Sequence, residues 1–177
     1  MKKSVFEESR LKYKPINIKL LFIAEAPPQL GSGRFFYFED VQDKDNLFLE
    51  LMKVLYPKVF TSLSISDIRE NKHILLNKFK DDGYYLIDAI DDPMPPNVNK
   101  TKIIKDNIPN LIDKIRNIVD YSTPIILISS SVYKVCYNPL LNEAFNIVNT
   151  EMIDFPGSGR QLEFKKKLNE LLASLSL

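Results

Sequence analysis

One stretch of the sequence, residues 24–40, brings together residue types that chemistry on a ligand requires. It holds the carboxylates Glu25 and Glu39, the cation Arg34 and four consecutive aromatic residues at positions 35–38. Carboxylates can transfer protons or stabilise a positive charge, and aromatic rings can form the walls of a pocket. The prolines and glycines within the stretch indicate a loop. The sequence therefore predicts an aromatic-walled pocket that contains carboxylates.

A second glycine-rich turn, residues 155–160 (FPGSGR), precedes the last predicted helix. Free backbone N–H groups and the macrodipole at a helix N-terminus favour an anion, so Ser158 and Arg160 are candidates to hold a phosphate. In the alternative interpretation the two glycines only form a tight turn and Ser158 caps the helix. Residues 31–33 (GSG) fit neither the Walker nor the dinucleotide-binding pattern, which argues against a nucleoside-triphosphate enzyme.

Short apolar runs predict the strands that must position these loops. They cover residues 18–24, 84–90 and 124–129, and a further apolar stretch covers residues 145–148. Apolar residues recur at helical spacing in residues 47–55, 65–79, 104–119 and 164–175, with a break or kink at Pro109, and a short helix is predicted from residue 129. The order of elements is β, α, β, α, β, α.

Strands that alternate with helices pair in parallel through right-handed crossovers. We therefore predict an α/β protein, a three-layer α/β/α sandwich around a central, mostly parallel four-stranded sheet. The length of 177 residues predicts one domain that spans the whole chain, residues 1–177. Ligands of such sheets bind beyond the carboxyl ends of the strands, which is where the candidate loops lie.

Composition limits the function classes. The 24 Lys and Arg residues nearly balance the 23 Asp and Glu residues, so any surface that binds nucleic acid must be local. Cys136 is the only cysteine and cannot supply an iron–sulfur cluster or a structural zinc site, so we expect no metal and no cofactor. No segment approaches about 18 uninterrupted apolar residues, so we expect no membrane partner. A cytoplasmic monomer is the expectation.

Several segments, in the same order along the chain, resemble the motifs of the family 5 uracil-DNA glycosylases. The family's G-x-A-P-A motif is similar to residues 24–28 (AEAPP), and its G-R-x-F-x-x-D stretch is similar to residues 33–39 (GRFFYFE). Its P-P-x-N-K motif resembles residues 95–100 (PPNVNK), and its H-P-S and T-G-R turn resembles residues 154–160 (DFPGSGR). The resemblance implies the uracil-DNA glycosylase fold, DNA as partner, and excision of a damaged base that is flipped into a pocket.

The resemblance also implies roles for single residues. Glu39 stands at the family's acidic position and would stabilise the oxocarbenium-like sugar or orient water; Glu25 is a second catalytic candidate, because related families use the carboxylate of a G-E-A-P-G motif. Phe36 corresponds to the aromatic residue that stacks on the flipped base, with core packing as the alternative. The base-binding positions are Ala26, Pro27, Phe36 and Asp88. The positions that would contact DNA phosphates are Arg34, Asn97, Lys100, Ser158 and Arg160.

Three departures from the family pattern bear on the activity. Asp88 stands where many members carry an asparagine; an ionised aspartate only accepts, so either burial raises its pKa or the favoured base presents donors. Phe155 replaces the histidine that donates to the base carbonyl, and we assign no role to the only histidine, His73. The cysteines of the family's iron–sulfur cluster are missing. A non-catalytic nucleic-acid or nucleotide-binding member and an enzyme of free nucleosides are therefore alternatives to a divergent DNA glycosylase.

Overall fold

Three parallel strands form the centre of the structure, a computed structural model that describes residues 4–157 and 159–175. The strands are β1 (Leu20–Ala24), β2 (Tyr84–Asp88) and β3 (Ile125–Leu127), in the spatial order β2-β1-β3. The central β1 pairs in parallel with both neighbours, with Ala24 opposite Asp88 and Ile23 opposite Leu127. All five residues of β1 are buried, as a continuous apolar run in a parallel sheet requires.

Helices flank this open sheet, which confirms the predicted mixed α/β class and the parallel pairing. The helices are α1 (Val5–Lys12), α2 (Asn46–Leu55), α3 (Pro57–Ser62), α4 (Ile65–Glu70), α5 (Lys72–Asp81), α6 (Lys100–Asp106), α7 (Ile108–Arg116), α8 (Ser130–Asn142) and α9 (Gln161–Ser174), with a 3₁₀ turn at Leu30–Ser32. Within the described residues, none of these helices combines the length and apolar character that crossing a membrane requires.

Local sequence signals explain why two predicted helical stripes are each divided. Ser64 begins α4 with a capping box, because its Oγ accepts from the Asp67 N–H group and the Asp67 carboxylate accepts from the Ser64 N–H group. Asn71 ends α4, so the stripe over residues 65–79 forms α4 and α5. Pro109 lacks an N–H group and lies in the first turn of α7, where none is needed, so the next stripe forms α6 and α7.

The expected fourth strand is replaced by a segment, residues 146–153, that follows β3 without a continuous ladder. Ile147 and Ile153 form isolated parallel bridges to the β3 chain. Between them, the Asn149 carboxamide accepts a hydrogen bond from the Leu127 N–H group at 2.9 Å and donates one to the Leu127 carbonyl at 3.2 Å. The Asn149 side chain thus makes the two hydrogen bonds to Leu127 that the backbone of a fourth strand would make. Among the described residues the sheet has three strands and not four.

Candidate functional site

The strands end at one edge of the sheet, and the predicted site loops leave from this edge. Glu25 directly follows β1, Asp88 is the last residue of β2, and Ser129 lies two positions beyond β3. Backbone hydrogen bonds of 2.8 and 3.1 Å from Ala89 and Ile90 continue the pairing between the two loops that follow β1 and β2. Because parallel strands place their carboxyl ends together, these polar side chains share one edge of the molecule.

Glu25 is the centre of a polar group that we call the Glu25 cluster, made of Glu25, Lys100, Ser129 and Ser131. Lys100 Nζ lies 2.6 Å from Glu25 Oε1, and the Ser131 hydroxyl donates to Oε2. The Ser129 and Ser131 hydroxyls are 3.1 Å apart. Both carboxylate oxygens are therefore engaged, and the charge of Lys100 is neutralised. The cluster joins the ends of β1 and β3 to the first residue of α6.

Ser129 has a backbone conformation that is rare for any residue other than glycine. Its φ is 87° and its ψ is 151°. Such a conformation costs about 1–3 kcal/mol and persists only where the surroundings impose it. Its N–H group donates to the Ile153 carbonyl at 2.9 Å, and its Oγ accepts from the Val132 N–H group at 3.3 Å, which caps α8. The strain lies at the sheet edge, within the Glu25 cluster.

Asp88 is paired with a residue far away in the sequence. Arg10 Nη2 lies 2.8 Å from Asp88 Oδ2, and both side chains are buried. The same guanidinium reaches Asp91 at 3.2 Å, and Lys114 Nζ donates to the Asp88 carbonyl at 3.1 Å. Burial raises the pKa of Asp88, and the Arg10 guanidinium opposes that increase. Asp88 is only 3 % exposed, so the expected contact with a base has little surface available.

Glu39 lies at the wall of two neighbouring cavities of about 320 and 630 Å³. We call the larger one the Glu39 groove; it is lined by residues 39–42, Ile65, Ser66, Arg69, Glu70 and His73. The Tyr13 hydroxyl donates to Glu39 Oε1 at 2.6 Å, and Lys12 Nζ contacts the same oxygen. These contacts from Lys12 and Tyr13 lower the pKa of Glu39, so its carboxylate is ionised at neutral pH. Among the described residues, Glu39 and Glu25 have different hydrogen-bond donors, Lys12 and Tyr13 for Glu39 and Lys100 and Ser131 for Glu25.

Phe36 is part of the hydrophobic core. It is 4 % exposed, and its ring centroid lies 5.6 Å from that of Phe48 and 5.5 Å from that of Phe79. The expected role as a stacking platform needs a ring face that is open to a base, and this packing leaves none. The structure supports the alternative interpretation, core packing. The adjacent Tyr37 fixes the aromatic stretch to β2, because its hydroxyl exchanges hydrogen bonds of 2.8 and 2.9 Å with the Leu86 backbone.

The other predicted base-binding residues lie in the turn that follows Glu25. Ala26 is partly buried against the core, and Pro27 is buried. Further along this loop, Gln29 Nε2 donates to the Met94 carbonyl at 2.6 Å, which ties the loop after β1 to the loop after β2. Both loops are therefore held together at the sheet edge, although Ala26 and Pro27 offer a ligand only apolar surface and a backbone.

Two of the predicted phosphate contacts are paired with carboxylates. Arg34 Nε lies 3.3 Å from Asp43 Oδ1 at a partly exposed position. Lys100, as described above, is paired with Glu25. An arginine or lysine that already has an ionic partner gains less from a DNA phosphate, because the existing pair must be broken first. These two cations are therefore weaker candidates for phosphate binding than their charge alone indicates.

Of the remaining predicted phosphate contacts, Asn97 and Arg160 are exposed. Asn97 adopts a left-handed conformation with a φ of 60° in the loop before α6, and Arg160 is the N-cap residue of α9. Phe155, in the turn before α9, is 43 % exposed and stands apart from the aromatic core. Ser158 lies outside the described residues. An arginine at a helix N-terminus remains suited to an anion.

The contribution of α1 was missed by the sequence interpretation. Arg10 holds Asp88, while Lys12 and Tyr13 hold Glu39. One signal in the sequence was the Ser4 cap followed by acidic residues in the first turn, which is typical of a helix start. Nothing in the local pattern indicated that this helix would contact two residues assigned to the site.

No family model matches the chain, and no curated protein matches it with significance.

Proposed function

We propose that the chain is a divergent member of the uracil-DNA glycosylase superfamily that hydrolyses the N-glycosidic bond of uracil or another deaminated or modified base in DNA. The observation that carries the proposal is the ionised, anchored Glu39 carboxylate at the wall of a 630 Å³ groove. A cavity of this size suits a nucleoside unit. The motif order and the parallel sheet with its loops at the carboxyl edge support the same assignment.

In the proposed fold, the described sheet and the helices that flank it form the three-layer α/β/α sandwich of the superfamily. In this interpretation, residues 146–153 take the place of the fourth strand. Their two isolated bridges to the β3 chain have the parallel direction that a fourth strand would need. The segment would then lead to Asp154 at the same edge as Glu25 and Asp88.

The proposed chemistry needs a negative charge close to the sugar. The bond between C1′ and the base nitrogen breaks, its electron pair leaves with the base, and positive charge develops on the sugar ring. The Glu39 carboxylate stabilises this charge or orients the water that adds to C1′. The proton that this water loses ends on the departed base anion, so the products are the free base and a C1′ hydroxyl. The groove carries the carboxylates of Glu39, Asp40 and Glu70 against the guanidinium of Arg69, so the DNA phosphates would stay outside it.

The test of this proposal is base release from oligonucleotides that contain uracil, hypoxanthine or xanthine, in single and double strands. Glu39→Gln keeps the size of the side chain and removes its charge, and we expect the rate to fall by about 10²-fold or more. Glu143→Gln is the matched control, because Glu143 is equally half-exposed and paired with Arg116. Equal rates for wild type and Glu39→Gln would refute the role of Glu39.

The second candidate function is non-catalytic binding of a nucleic acid or nucleotide. The pairing of Asp88 with Arg10 favours it, because this contact occupies a position that the resemblance assigns to base recognition. Salt-sensitive binding of the oligonucleotides without release of any base would select this candidate. Release of one of the bases, abolished in Glu39→Gln, would exclude it.

A further inference from the structure

Both contacts to the Glu39 carboxylate fall on one of its two oxygens. The Tyr13 hydroxyl donates to Oε1 at 2.6 Å, and Lys12 Nζ contacts the same atom. Within the part of the chain that the structure describes, no protein group donates to Oε2, and the Glu39 side chain is 40 % exposed. Two donors on one oxygen restrict the carboxylate, while the lone pairs of the other oxygen stay available.

The main anchor, Tyr13, is itself held firmly. Its side chain is fully buried, and its ring stacks on Tyr37 with centroids 6.1 Å apart and an interplanar angle of 11°. The Tyr37 hydroxyl is bonded in turn to the backbone of β2. Burial is the larger cause that raises the pKa of Tyr13, and the hydrogen bond to Glu39 is the second. The phenol therefore stays neutral and donates its hydrogen bond to Glu39. Lys12 is exposed and lies over the Tyr13 ring, 5.4 Å from its centroid.

We propose that Lys12 and Tyr13 are positioning residues that hold Glu39 by Oε1 and leave Oε2 as the atom that meets the sugar or the attacking water. The inference rests on the proposed function, since it assigns a task to each oxygen of the carboxylate. A fixed carboxylate needs no reorganisation when positive charge develops beside it, which is how preorganised groups accelerate a reaction. The rigid path from β2 through Tyr37 and Tyr13 supplies that fixation.

The test combines Tyr13→Phe and Lys12→Gln with two measurements. Titration of the Glu39 side-chain carboxyl carbon by NMR should give a higher pKa in both variants, because each loses a donor to the ionised form. For base release, we expect kcat to fall about tenfold with little change in KM, and the acidic limb of the pH profile to move to higher pH. Tyr56→Phe is the matched control, since Tyr56 donates to Asp82 at 2.8 Å in a comparable pair.

The two measurements separate the inference from the proposed function. Base release by Tyr13→Phe with the kcat and pH profile of the wild type would overturn the inference and leave the proposed function standing. An unchanged Glu39 pKa in both variants would also overturn it. If the wild type releases no base, the proposed function fails and the catalytic task of Oε2 fails with it, while the titration still decides whether Lys12 and Tyr13 anchor Glu39.

Discussion

The Arg10 guanidinium and the Asp88 carboxylate form a buried ion pair across 78 positions of the sequence, with Nη2 and Oδ2 2.8 Å apart. The pair attaches α1 to the end of β2. Burying two charges costs several kcal/mol per ion, which their attraction offsets only when the geometry is good. Asp91 adds a second, partly exposed carboxylate to the same guanidinium. The contact therefore fixes α1 at the edge where the site loops emerge.

We predict that Arg10→Met destabilises the protein by about 3–5 kcal/mol, because it leaves a buried carboxylate without its counter-charge. The double variant with Asp88→Asn should recover part of this loss, since no charge then stays buried. Urea unfolding measures both values. Lys78→Met is the control, because Lys78 and Asp82 form an exposed pair that contributes about 0–1 kcal/mol.

The pH dependence of the same variant follows from the pKa of Asp88. Burial raises this pKa in the folded protein, and loss of Arg10 would raise it further. A group whose pKa is higher in the folded state contributes stability below its unfolded pKa and loses it as the pH rises through the folded value. The destabilisation by Arg10→Met should therefore be smaller at about pH 4 than at about pH 7. An equal destabilisation at both pH values would contradict a buried, unpaired carboxylate.

Ser129 gives a prediction about strain. Ser129→Gly relieves a backbone conformation that costs about 1–3 kcal/mol, and glycine at a helix N-cap loses only a few tenths of a kcal/mol. Ser129→Ala keeps the strain and loses the cap, so it should destabilise by about 0.5–2 kcal/mol. Thermal unfolding should therefore rank the glycine variant at or above the wild type and the alanine variant below it. A glycine variant less stable than the alanine variant would show that the conformation carries no strain.

The strands could be predicted from the sequence because their signal is local. The apolar runs at residues 18–24, 84–90 and 124–129 each contain one observed strand, and each strand is shorter because the ladder ends before the apolar run does. The fourth strand is not confirmed among the described residues, for a physical reason that propensity does not capture. Asn149 takes over the hydrogen bonds of Leu127 at the β3 edge, and an apolar stretch at residues 145–148 does not reveal that substitution.

Only part of the site could be predicted, because the residues that contact Glu39 and Asp88 are distant from them in the sequence. Glu25 follows an apolar run that ends in a loop, so its place at the sheet edge was predictable. The aromatic character of residues 35–38 suggested pocket walls, yet Phe36 packs between Phe48 and Phe79, since burial of a large ring is favourable with or without a ligand. The contacts of Glu39 with α1 depend on tertiary packing, which no local pattern encodes.

Replacement of Asn149 tests whether its side chain supplies the hydrogen-bond partners at the edge of β3. Asn149→Ala leaves the Leu127 N–H and C=O groups without their partner, and each unsatisfied buried group costs about 1–3 kcal/mol. Hydrogen exchange of the Leu127 amide should accelerate together with the loss of stability. Asn146→Ala is the control, because the exposed Asn146 side chain donates to the Ser122 carbonyl and not to β3. Unchanged protection of Leu127 in Asn149→Ala would mean that the backbone forms this edge.

Lys72 carries a buried charge close to Arg69, a residue of the Glu39 groove. Lys72 is 0 % exposed, and its Nζ lies 3.7 Å from Asp45 Oδ2 and 4.2 Å from the Phe48 ring centroid. Burial lowers the pKa of Lys72 to about 8, although Asp45 opposes this change. Asp45 has a second cation, because Arg69 Nη2 lies 2.8 Å from its Oδ1. Burial of the Lys72 charge is therefore costly. Asp45 would keep Arg69 as a cationic partner without it.

Lys72→Met should consequently stabilise the protein at about pH 7, by about 1–3 kcal/mol, because the lowered pKa shows that burial disfavours the ammonium group and Arg69 still supplies a counter-charge to Asp45. The sign of the pH effect follows from the lowered pKa. Between about pH 8 and about pH 10.5 the unfolded chain binds the Lys72 proton and the folded chain does not, so the wild type gains stability as the pH rises. The advantage of Lys72→Met should shrink across this range in urea unfolding. A methionine variant that is less stable at every pH would mean that the ion pair with Asp45 outweighs the desolvation of Lys72.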